Sequence, residues 1–358
     1  MTKFDHVTVL KAETIELVLA NFEKYQNQDD LLFADCTLGG AGHTIHLLEQ
    51  LTTKVQRSNL SSRKIEIVCC DQDSLALQVA SERIALWKER SQLADSSPKV
   101  TLINENFSQL PAWLKSNRPT KKLNGLIADL GVSSPQLDHA ERGFSFLKSG
   151  PLDMRMNNQN GITAKQLIET STESELSQIF TSYGEEPRAR ALAKAIVKDR
   201  SLGTLPMSNT VTFAEYVARV LGYHQSRVHP ATRIFQALRI AVNEELSSVE
   251  SLLQDIPSII SNNGTAALIS FHSLEDRIVK QYFRAWENAC ASPAQKKKND
   301  KQNWLESQMG IPTQTASDRK SFGAETPRGG ILASDEEVKL NPRSRSARLR
   351  GFCFSDPK

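Results

Sequence analysis

The residues best suited to chemistry are acids that directly follow short apolar runs. Three such runs end at Asp35, Asp71 and Asp129. The candidate ligand-binding residues after the first acid are Gly39, Gly40, Ala41, Gly42 and His43. Backbone N–H groups at a glycine turn, and carboxylates beside it, hold ligands that carry hydroxyl groups or positive charge. The pattern therefore predicts a site for a nucleotide-like ligand.

The spacing of the glycines argues against a dinucleotide cofactor. A dinucleotide site requires G-x-G-x-x-G, whereas this segment reads G-G-A-G and an acid precedes it. A tight turn without a ligand is the alternative, because glycine also serves backbone geometry. Asp71 suits ribose hydroxyls or the cap of a helix that begins near Ser74. Phe107 suits stacking on a purine ring or packing in the core.

A second polar segment follows Asp129 and contains Ser134, Pro135 and Gln136. An exocyclic amine bound here would need acceptors for its N–H groups more than a strong base, because its lone pair is delocalised. Ser134 Oγ and the Pro135 carbonyl are suitable acceptors, and a type I turn is the alternative reading of this Ser-Pro pair. His272 follows a further apolar run at the same predicted sheet edge, where it either contacts the substrate or serves the structure.

A third group of residues has the chemistry of a single-stranded RNA reader, which stacks bases on aromatic rings and pairs phosphates with arginines. The candidate RNA contacts are Arg142, Phe144, Arg155, Arg233, Arg239, Arg277, Arg343, Arg345 and Arg348. Alternatives stay open. The loop at residues 141–156 can instead fasten an insertion to the sheet, and both the polar stripe around Arg239 and the basic C-terminal segment can be solvated surfaces.

The elements that position these residues alternate between strands and helices. Buried strands are predicted at residues 31–34, 65–70, 99–103, 126–128 and 266–271. Helices are predicted at residues 44–51 and 74–89. Alternation of this kind predicts an α/β fold with a doubly wound parallel sheet.

The middle of the chain gives no strand signal, and residues 161–223 predict a helical insertion of short amphipathic helices. One long helix is expected after Pro230, with an apolar stripe that ends at Leu253. Polar composition predicts an exposed loop at 52–64 and a mobile excursion at 291–334. The expected organisation is a first sheet part at 1–136, a helical substrate-recognition domain at 137–226, and a second sheet part with a basic C-terminal segment at 227–358.

The composition is that of a globular protein and names no function. The chain has 358 residues, and its net charge of +3 is compatible with RNA binding without requiring it. The five cysteines show no C-x-x-C pair, so reduced thiols and no metal site are expected. No run approaches the roughly 18 apolar residues of a membrane span, and a cytoplasmic location is expected.

Six segments together resemble one known family. They are HVTVL, DCTLGGAGH, DLGVSSPQLDHAERGFSFLKSGPLDMRM, HPATRIFQALRIAVNEEL, SFHSLEDRIVK and NPRSRSARLR. In sequence and order they closely resemble the RsmH (MraW) family of 16S ribosomal RNA cytosine-N4 methyltransferases, from about His6 to Arg350. The run from Asp129 to Met156 is highly specific.

The resemblance implies a class I (Rossmann-like) methyltransferase sheet with an inserted helical domain, and S-adenosyl-L-methionine as methyl donor. It implies a cytosine in the decoding region of 16S ribosomal RNA, in the small ribosomal subunit, as target. By motif position it implies that the glycine turn, Asp71, Phe107, Asp129 and Gln136 bind the cofactor. The candidate catalytic residues are Asp129, Ser134, Pro135 and His272.

The chain departs from the family pattern at two places. Ala41 replaces a glycine of the turn, which matters if φ is positive there, and the loop at 52–64 is longer than is typical. Three other functions compete: methylation of a DNA amine, ribosome assembly without turnover, and, more distantly, hydride transfer by a dehydrogenase. Whether the protein forms a homodimer is left open.

Overall fold

The computed structural model describes residues 8–25, 28, 30–57, 64–91, 98–222, 229–308 and 321–355. Its contacts divide the chain into two compact units. The sheet unit comprises Met1–Gly131 and Ser247–Lys358, and the helical unit comprises Val132–Leu246. Three parts of the sequence interpretation lie outside the described residues: the first two residues of HVTVL, residues 58–63 of the expected loop, and residues 309–320 of the expected excursion.

The sheet unit contains one sheet. Its described strands are β1 (Asp30–Asp35), β2 (Lys64–Cys70), β3 (Lys99–Ile103), β4 (Leu123–Asp129), β5 (Ile260–Ser270), β6 (Gly323–Glu325), β7 (Ile331–Leu332) and β8 (Arg348–Phe354). The strand order is β3-β2-β1-β4-β5-β8-β6, and β7 also pairs with β8. The first five strands are parallel, whereas β8 is antiparallel to its neighbours. The predicted α/β fold and its five predicted strands are confirmed.

Helices cover both faces of this sheet. They are α1 (Lys11–Val18), α2 (Gly42–Arg57), α3 (Ser74–Ser91), α4 (Leu110–Asn117), α11 (Glu245–Ile259, which begins at the unit boundary), α12 (Ser273–Trp286), α13 (Pro293–Gln308) and α14 (Asp335–Leu340). The central strands β1, β2 and β4 are buried along almost their whole length, as expected for parallel strands with helices on both sides. One core packs α1 and α2 against Phe33, and the other packs α4, α11 and α12 against Leu126.

The helical unit contains no strand among its described residues. Its helices are α5 (Ser134–Asp138), α6 (Ala164–Thr170), α7 (Glu173–Ser182), α8 (Ala189–Ser201), α9 (Thr210–Leu221) and α10 (Ala231–Asn243). Capping boxes at Thr163, Thr172 and Asn209 fix the starts of α6, α7 and α9. The helices share a core that includes Phe180 and Phe213. The short helices predicted from residue 161 onward are therefore confirmed.

The single long helix predicted after residue 230 is wrong. Glu244 has a φ of 50°, in the left-handed region, and this turn ends α10 before α11 begins. The apolar stripe consequently serves two cores, with Phe235 in the helical unit and Leu253 in the sheet unit. Because α10 packs on α6, α7 and α9, the helical unit spans 132–246 rather than the expected 137–226.

Two segments expected to be irregular contain regular structure. The expected loop at 52–64 starts inside α2, which continues to Arg57, and the expected excursion contains α13, β6 and β7. The basic C-terminal segment continues into β8, where Arg350 is buried and its guanidinium pairs with Asp276 and Glu325. Polar helices and very short strands lack the apolar periodicity that sequence interpretation relies on.

The cysteines are free thiols, as expected: Cys36, Cys69, Cys70 and Cys290 are buried and Cys353 is partly exposed. Among the described helices, none combines the length and the apolar character needed to cross a membrane.

A partly buried ion pair between Glu66 on β2 and Arg118 provides a test of stability. Arg118 donates from Nε to Glu66 Oε2 at 2.9 Å and from Nη2 to Glu66 Oε1 at 2.6 Å. These hydrogen bonds lower the pKa of Glu66 to about 2. Arg118→Met is expected to reduce the free energy of unfolding at pH 7 by about 2 kcal/mol, because Lys99 and Thr101 only partly replace the lost partner.

The effect should depend on pH in a defined direction. A depressed carboxyl pKa stabilises the folded state above the unfolded pKa of about 4.5, and this contribution disappears as the pH falls toward about 2. The difference between wild type and Arg118→Met, measured by urea unfolding, should therefore narrow from about pH 5 to about pH 3. Glu66→Gln/Arg118→Met is the control, and a difference that stays constant with pH would contradict the assignment.

Candidate active site at the strand ends

Three aspartates lie at the carboxyl ends of neighbouring strands, Asp35 on β1, Asp129 on β4 and Asp71 directly after β2. Two threonines fix this edge: Thr44 ties the start of α2 to the end of β1, and Thr37 ties the end of β4 to the segment that follows β1. Thr44 Oγ1 donates to Asp35 Oδ2 at 2.6 Å, and the Asp129 N–H donates to Thr37 Oγ1 at 2.6 Å. The sequence interpretation missed both threonines because a hydroxyl group near an acid forms no pattern that distinguishes it from any other turn residue.

The glycine turn is fixed by one of these acids. The Gly39 N–H donates to Asp71 Oδ2 at 2.8 Å, and the Ala41 N–H donates to the Leu38 carbonyl at 2.7 Å. Ala41 is fully buried with a φ of 60°. The departure from glycine therefore does matter, because a left-handed conformation costs an L-residue about 1–2 kcal/mol.

Burial disfavours the ionised form of all three aspartates. It raises the pKa of Asp71 to about 6, although two backbone hydrogen bonds act in the opposite direction. It also raises the pKa of Asp35, and it raises the pKa of Asp129 well above the usual range, with the nearby negative charges of Asp35 and Glu275 adding to the effect. Neighbouring carboxyl groups carry negative charge at the same time only when a positive charge or hydrogen-bond donors compensate them. This edge therefore favours a cation or a hydrogen-bond donor as its ligand.

Asp129 contains the clearest unsatisfied atom. Its Oδ1 is enclosed and has no hydrogen-bond partner within the described part of the chain, while its Oδ2 lies 3.9 Å from His43 Nδ1. The buried His43 is held by the Val9 carbonyl, 3.1 Å from its Nε2. An enclosed oxygen without a partner costs about 1–3 kcal/mol. The methyl donor implied by the resemblance carries a sulfonium and an ammonium group, and both fit this acidic edge.

His272 lies at the start of α12, immediately after β5. Its Nε2 is 3.1 Å from Glu275 Oε1, and its Nδ1 accepts from the Glu275 N–H at 3.4 Å. Glu275 is almost completely buried and also accepts from the Phe271 N–H at 2.8 Å. These contacts favour the structural reading of His272, and its catalytic role stays a prediction. Glu275 was missed because an acid in the first turn of a helix is an ordinary capping feature.

Phe107 follows β3 and is half-buried against the core. Asn106 caps its short 3-10 helix by accepting from the Ser108 N–H at 2.9 Å, and it donates to Gln72 Oε1 at 3.2 Å. The ring therefore packs in the core and keeps an accessible part. Its contact with an adenine stays a prediction.

The Ser134 segment begins α5 in the helical unit. Gln136 is buried, and its Oε1 accepts from the Ser133 N–H at 3.0 Å. The Pro135 carbonyl accepts from the His139 N–H at 3.0 Å. Ser134 Oγ makes no hydrogen bond to any residue that the structure describes, so its capacity to accept is intact. The predicted roles of Ser134, Pro135 and Gln136 stay predictions.

The loop at residues 141–156, which the sequence predicts as an RNA surface, is held by hydrogen bonds between its own residues. Arg142 Nη2 donates to the carbonyls of Arg155 and Met156 at 3.0 and 2.9 Å. Phe144 is only 6% exposed and belongs to the core of the helical unit. The expectation that Phe144 is an exposed ring is therefore wrong, because the loop uses its aromatic residue to close its own core.

Three other predicted RNA contacts lie in the helical unit beside acids. Arg155 forms a two-pronged ion pair with Asp153, and Arg239 forms one with Glu245, with all four N···O distances between 2.8 and 3.0 Å. These pairs compete with the predicted phosphate contacts. Arg233 is more accessible, at 55% exposure, and its Nη1 lies 3.9 Å from Glu186 Oε2.

The remaining predicted RNA contacts belong to the sheet unit. Arg277, Arg343 and Arg345 are exposed, the last two on the 3-10 helix Pro342–Ser346. Arg348 is half-buried on β8 and donates from Nη1 to the Gly329 carbonyl at 2.7 Å. The basic segment is therefore built into the fold, and Arg343 and Arg345 are its accessible cations.

Comparison with known proteins agrees with the motif resemblance. The chain matches the MraW methylase family over residues 3–354. A Myxococcus xanthus protein named ribosomal RNA small subunit methyltransferase H is 40% identical over 97% of this chain and 96% of its own length. Proteins with the same name from Anaeromyxobacter sp. strain K and Shewanella frigidimarina are 39% and 35% identical, each over 97% of both chains.

A solved rRNA methylase from Streptococcus thermophilus covers 96% of this chain and 92% of its own, with 8% identity and a TM-score of 0.34, which is too low to support fold or function. The assignment rests instead on the family match along nearly the whole sequence and on the full-length relatives. The resemblance carried by the motifs is thus confirmed, and the chain belongs to the MraW methylase family.

Proposed function

We propose that this chain transfers a methyl group from S-adenosylmethionine to the exocyclic N4 amine of a cytosine in the decoding region of 16S ribosomal RNA. We place this reaction on the small ribosomal subunit, in the cytoplasm. The names of the full-length relatives support the RNA substrate. The structural observation that carries the proposal is the acidic strand edge formed by Asp35, Asp71 and Asp129, which suits a positively charged nucleoside.

The residues present fit this cofactor. Asp71, beside the glycine turn, is assigned the ribose hydroxyls, because its carboxylate oxygens accept further hydrogen bonds. Phe107 is assigned the adenine ring, and Asp129 the positive charge, which would satisfy its enclosed Oδ1. Bound S-adenosylmethionine supplies an electrophilic methyl group on a positively charged sulfur.

The acceptor amine needs orientation more than deprotonation. Ser134 Oγ and the Pro135 carbonyl accept hydrogen bonds from the N4 amine, which turns its lone pair away from the ring and toward the methyl group. The C–N bond would form as the C–S bond breaks, with S-adenosylhomocysteine as the leaving group, and the methylated amine would then lose one proton to water. Asp129 anchors the loop through the hydrogen bond from its N–H to Thr37.

The function is tested by methyl transfer from radiolabelled cofactor to small subunits isolated from cells that lack this protein. Nucleoside analysis of the RNA is expected to find N4-methylcytidine at one position. Naked DNA serves as the comparison substrate and should receive no label. Measurable cofactor binding without transfer to subunits or RNA would contradict the proposal and favour an assembly factor.

Asp129→Asn is expected to weaken S-adenosylmethionine binding by about tenfold, because it removes a negative charge from a poorly solvated site. Binding of S-adenosylhomocysteine, which has a neutral sulfur, should weaken less. Calorimetry on both ligands measures the ratio. Asp30→Asn, at the opposite end of β1, is the matched control, and an equal loss for both ligands would show that Asp129 does not interact with the sulfonium charge.

Ser134→Ala is expected to reduce the single-turnover rate by about 10–100-fold with unchanged cofactor affinity, because the acceptor hydroxyl acts on the amine. Rapid-quench measurement on saturated enzyme gives the rate. Ser182→Ala, an exposed serine at the end of α7, is the control. A full rate in Ser134→Ala would remove Ser134 from the mechanism.

A further inference from the structure

Helix α13 presents cations and a tryptophan on one side. Lys297, Lys301 and Trp304 are separated by four and three residues, so they lie on one helix face, and Lys298 lies beside them. All four are exposed, and Trp304 is 61% exposed. We call these residues the lysine–tryptophan face.

The same helix turns polar residues toward the protein. Among the described side chains of α13, Pro293, Lys296 and Asn303 are the less exposed ones, and Asn299 Nδ2 donates to Cys290 Sγ at 3.4 Å. Burying a large aromatic side chain contributes about 1.5–3 kcal/mol or more, so a helix that served only packing would turn its tryptophan inward. The orientation found here leaves the ring available to another molecule.

Within the described residues, one ion pair forms on α13, and it does not involve the lysines of the face. Lys296 pairs with Asp300 at 2.6 Å. For Lys297, Lys298 and Lys301 the described part of the chain offers no ion pair. A strip of uncompensated lysines beside an accessible ring matches the two features of single-stranded nucleic acid, a charged backbone and bases free to stack. Among the described side chains of this face Trp304 is the only apolar one, and an apolar protein partner or a membrane would require more.

We propose that the lysine–tryptophan face of α13 binds a single-stranded segment of the RNA substrate, with Lys297 and Lys301 on phosphates and a base stacked on Trp304. The inference rests on the proposed function for the choice of RNA as ligand. The helix then contributes affinity at a place separate from the acids and the glycine turn in sequence, and its loss leaves the cofactor site intact.

The test measures RNA binding by the full-length protein with S-adenosylmethionine present. The probe is a fluorescent single-stranded RNA of about twenty nucleotides, enough to cover one or two stacking sites. Lys297→Gln/Lys301→Gln is expected to flatten the dependence of log Kd on log salt by about 1.4, or about 0.7 for each lost phosphate contact. Lys24→Gln/Lys122→Gln removes two other exposed lysines and should leave the slope unchanged.

The tryptophan is tested separately. Trp304→Ala is expected to weaken RNA binding about tenfold with an unchanged salt slope, and Trp304→Phe should retain most of the affinity, because stacking needs only a ring. Cofactor affinity should match wild type in every variant, which shows that the fold is intact. The readout does not require methyl transfer, so failure of the proposed reaction would be distinguishable from failure of this face.

Two results would overturn the inference. In the first, the lysine and tryptophan variants bind the RNA probe as wild type does, which would make the face merely solvated. In the second, the variants bind naked RNA normally and lose affinity only for assembled small subunits, which would identify a ribosomal protein as the partner.

Discussion

Poorly solvated carboxyl groups at one edge of the sheet are the constraint on which the site depends. Asp35, Asp71 and Asp129 end neighbouring strands because a parallel sheet brings the carboxyl ends of β1, β2 and β4 to one edge. Burial raises the pKa of all three groups, and nearby negative charges raise the pKa of Asp71 and Asp129 further. Such an arrangement opposes folding unless hydrogen bonds and a ligand compensate it. The hydrogen bonds at this edge supply part of that compensation.

The hydrogen bonds at this edge divide the acids into two classes. Asp35 is fully committed to the protein, because its two oxygens accept from Thr37 and Thr44. Asp71 fixes the glycine turn, whereas Asp129 keeps an enclosed oxygen without a described partner. Asp35 and Asp71 build the turn and the start of α2, and the Asp71 oxygens can accept further hydrogen bonds from a ligand. Asp129 is the acid whose enclosed oxygen is left for the ligand. This division explains why an acidic edge is both a structural element and a binding site.

The sequence predicts strands and acids well because an apolar run followed by aspartate is a local pattern, and β1, β2 and β4 have it. It predicts poorly whatever depends on distant partners. Phe144 looks exposed within its polar loop, yet the core of the helical unit closes over it. The left-handed turn at Glu244 interrupts an apolar stripe that would otherwise run through one helix. Strand β8 forms by pairing with β5, which is distant in sequence. The burial of Phe144, the turn at Glu244 and the pairing of β8 all depend on residues distant in sequence, so local patterns do not predict them.

A cationic cofactor is proposed to compensate the poorly solvated acids of this edge. Calorimetry of S-adenosylmethionine binding near pH 6, in buffers of different ionisation enthalpy, counts the protons that binding releases. The pKa of Asp71 is about 6 in the free protein. Ribose hydroxyls that donate to Asp71, and a positive charge held by Asp129 at the same edge, both lower that pKa, so protons should be released and affinity should rise from about pH 5 to about pH 7. Release should be smaller with S-adenosylhomocysteine. Binding without proton release, equal for both ligands, would contradict the account.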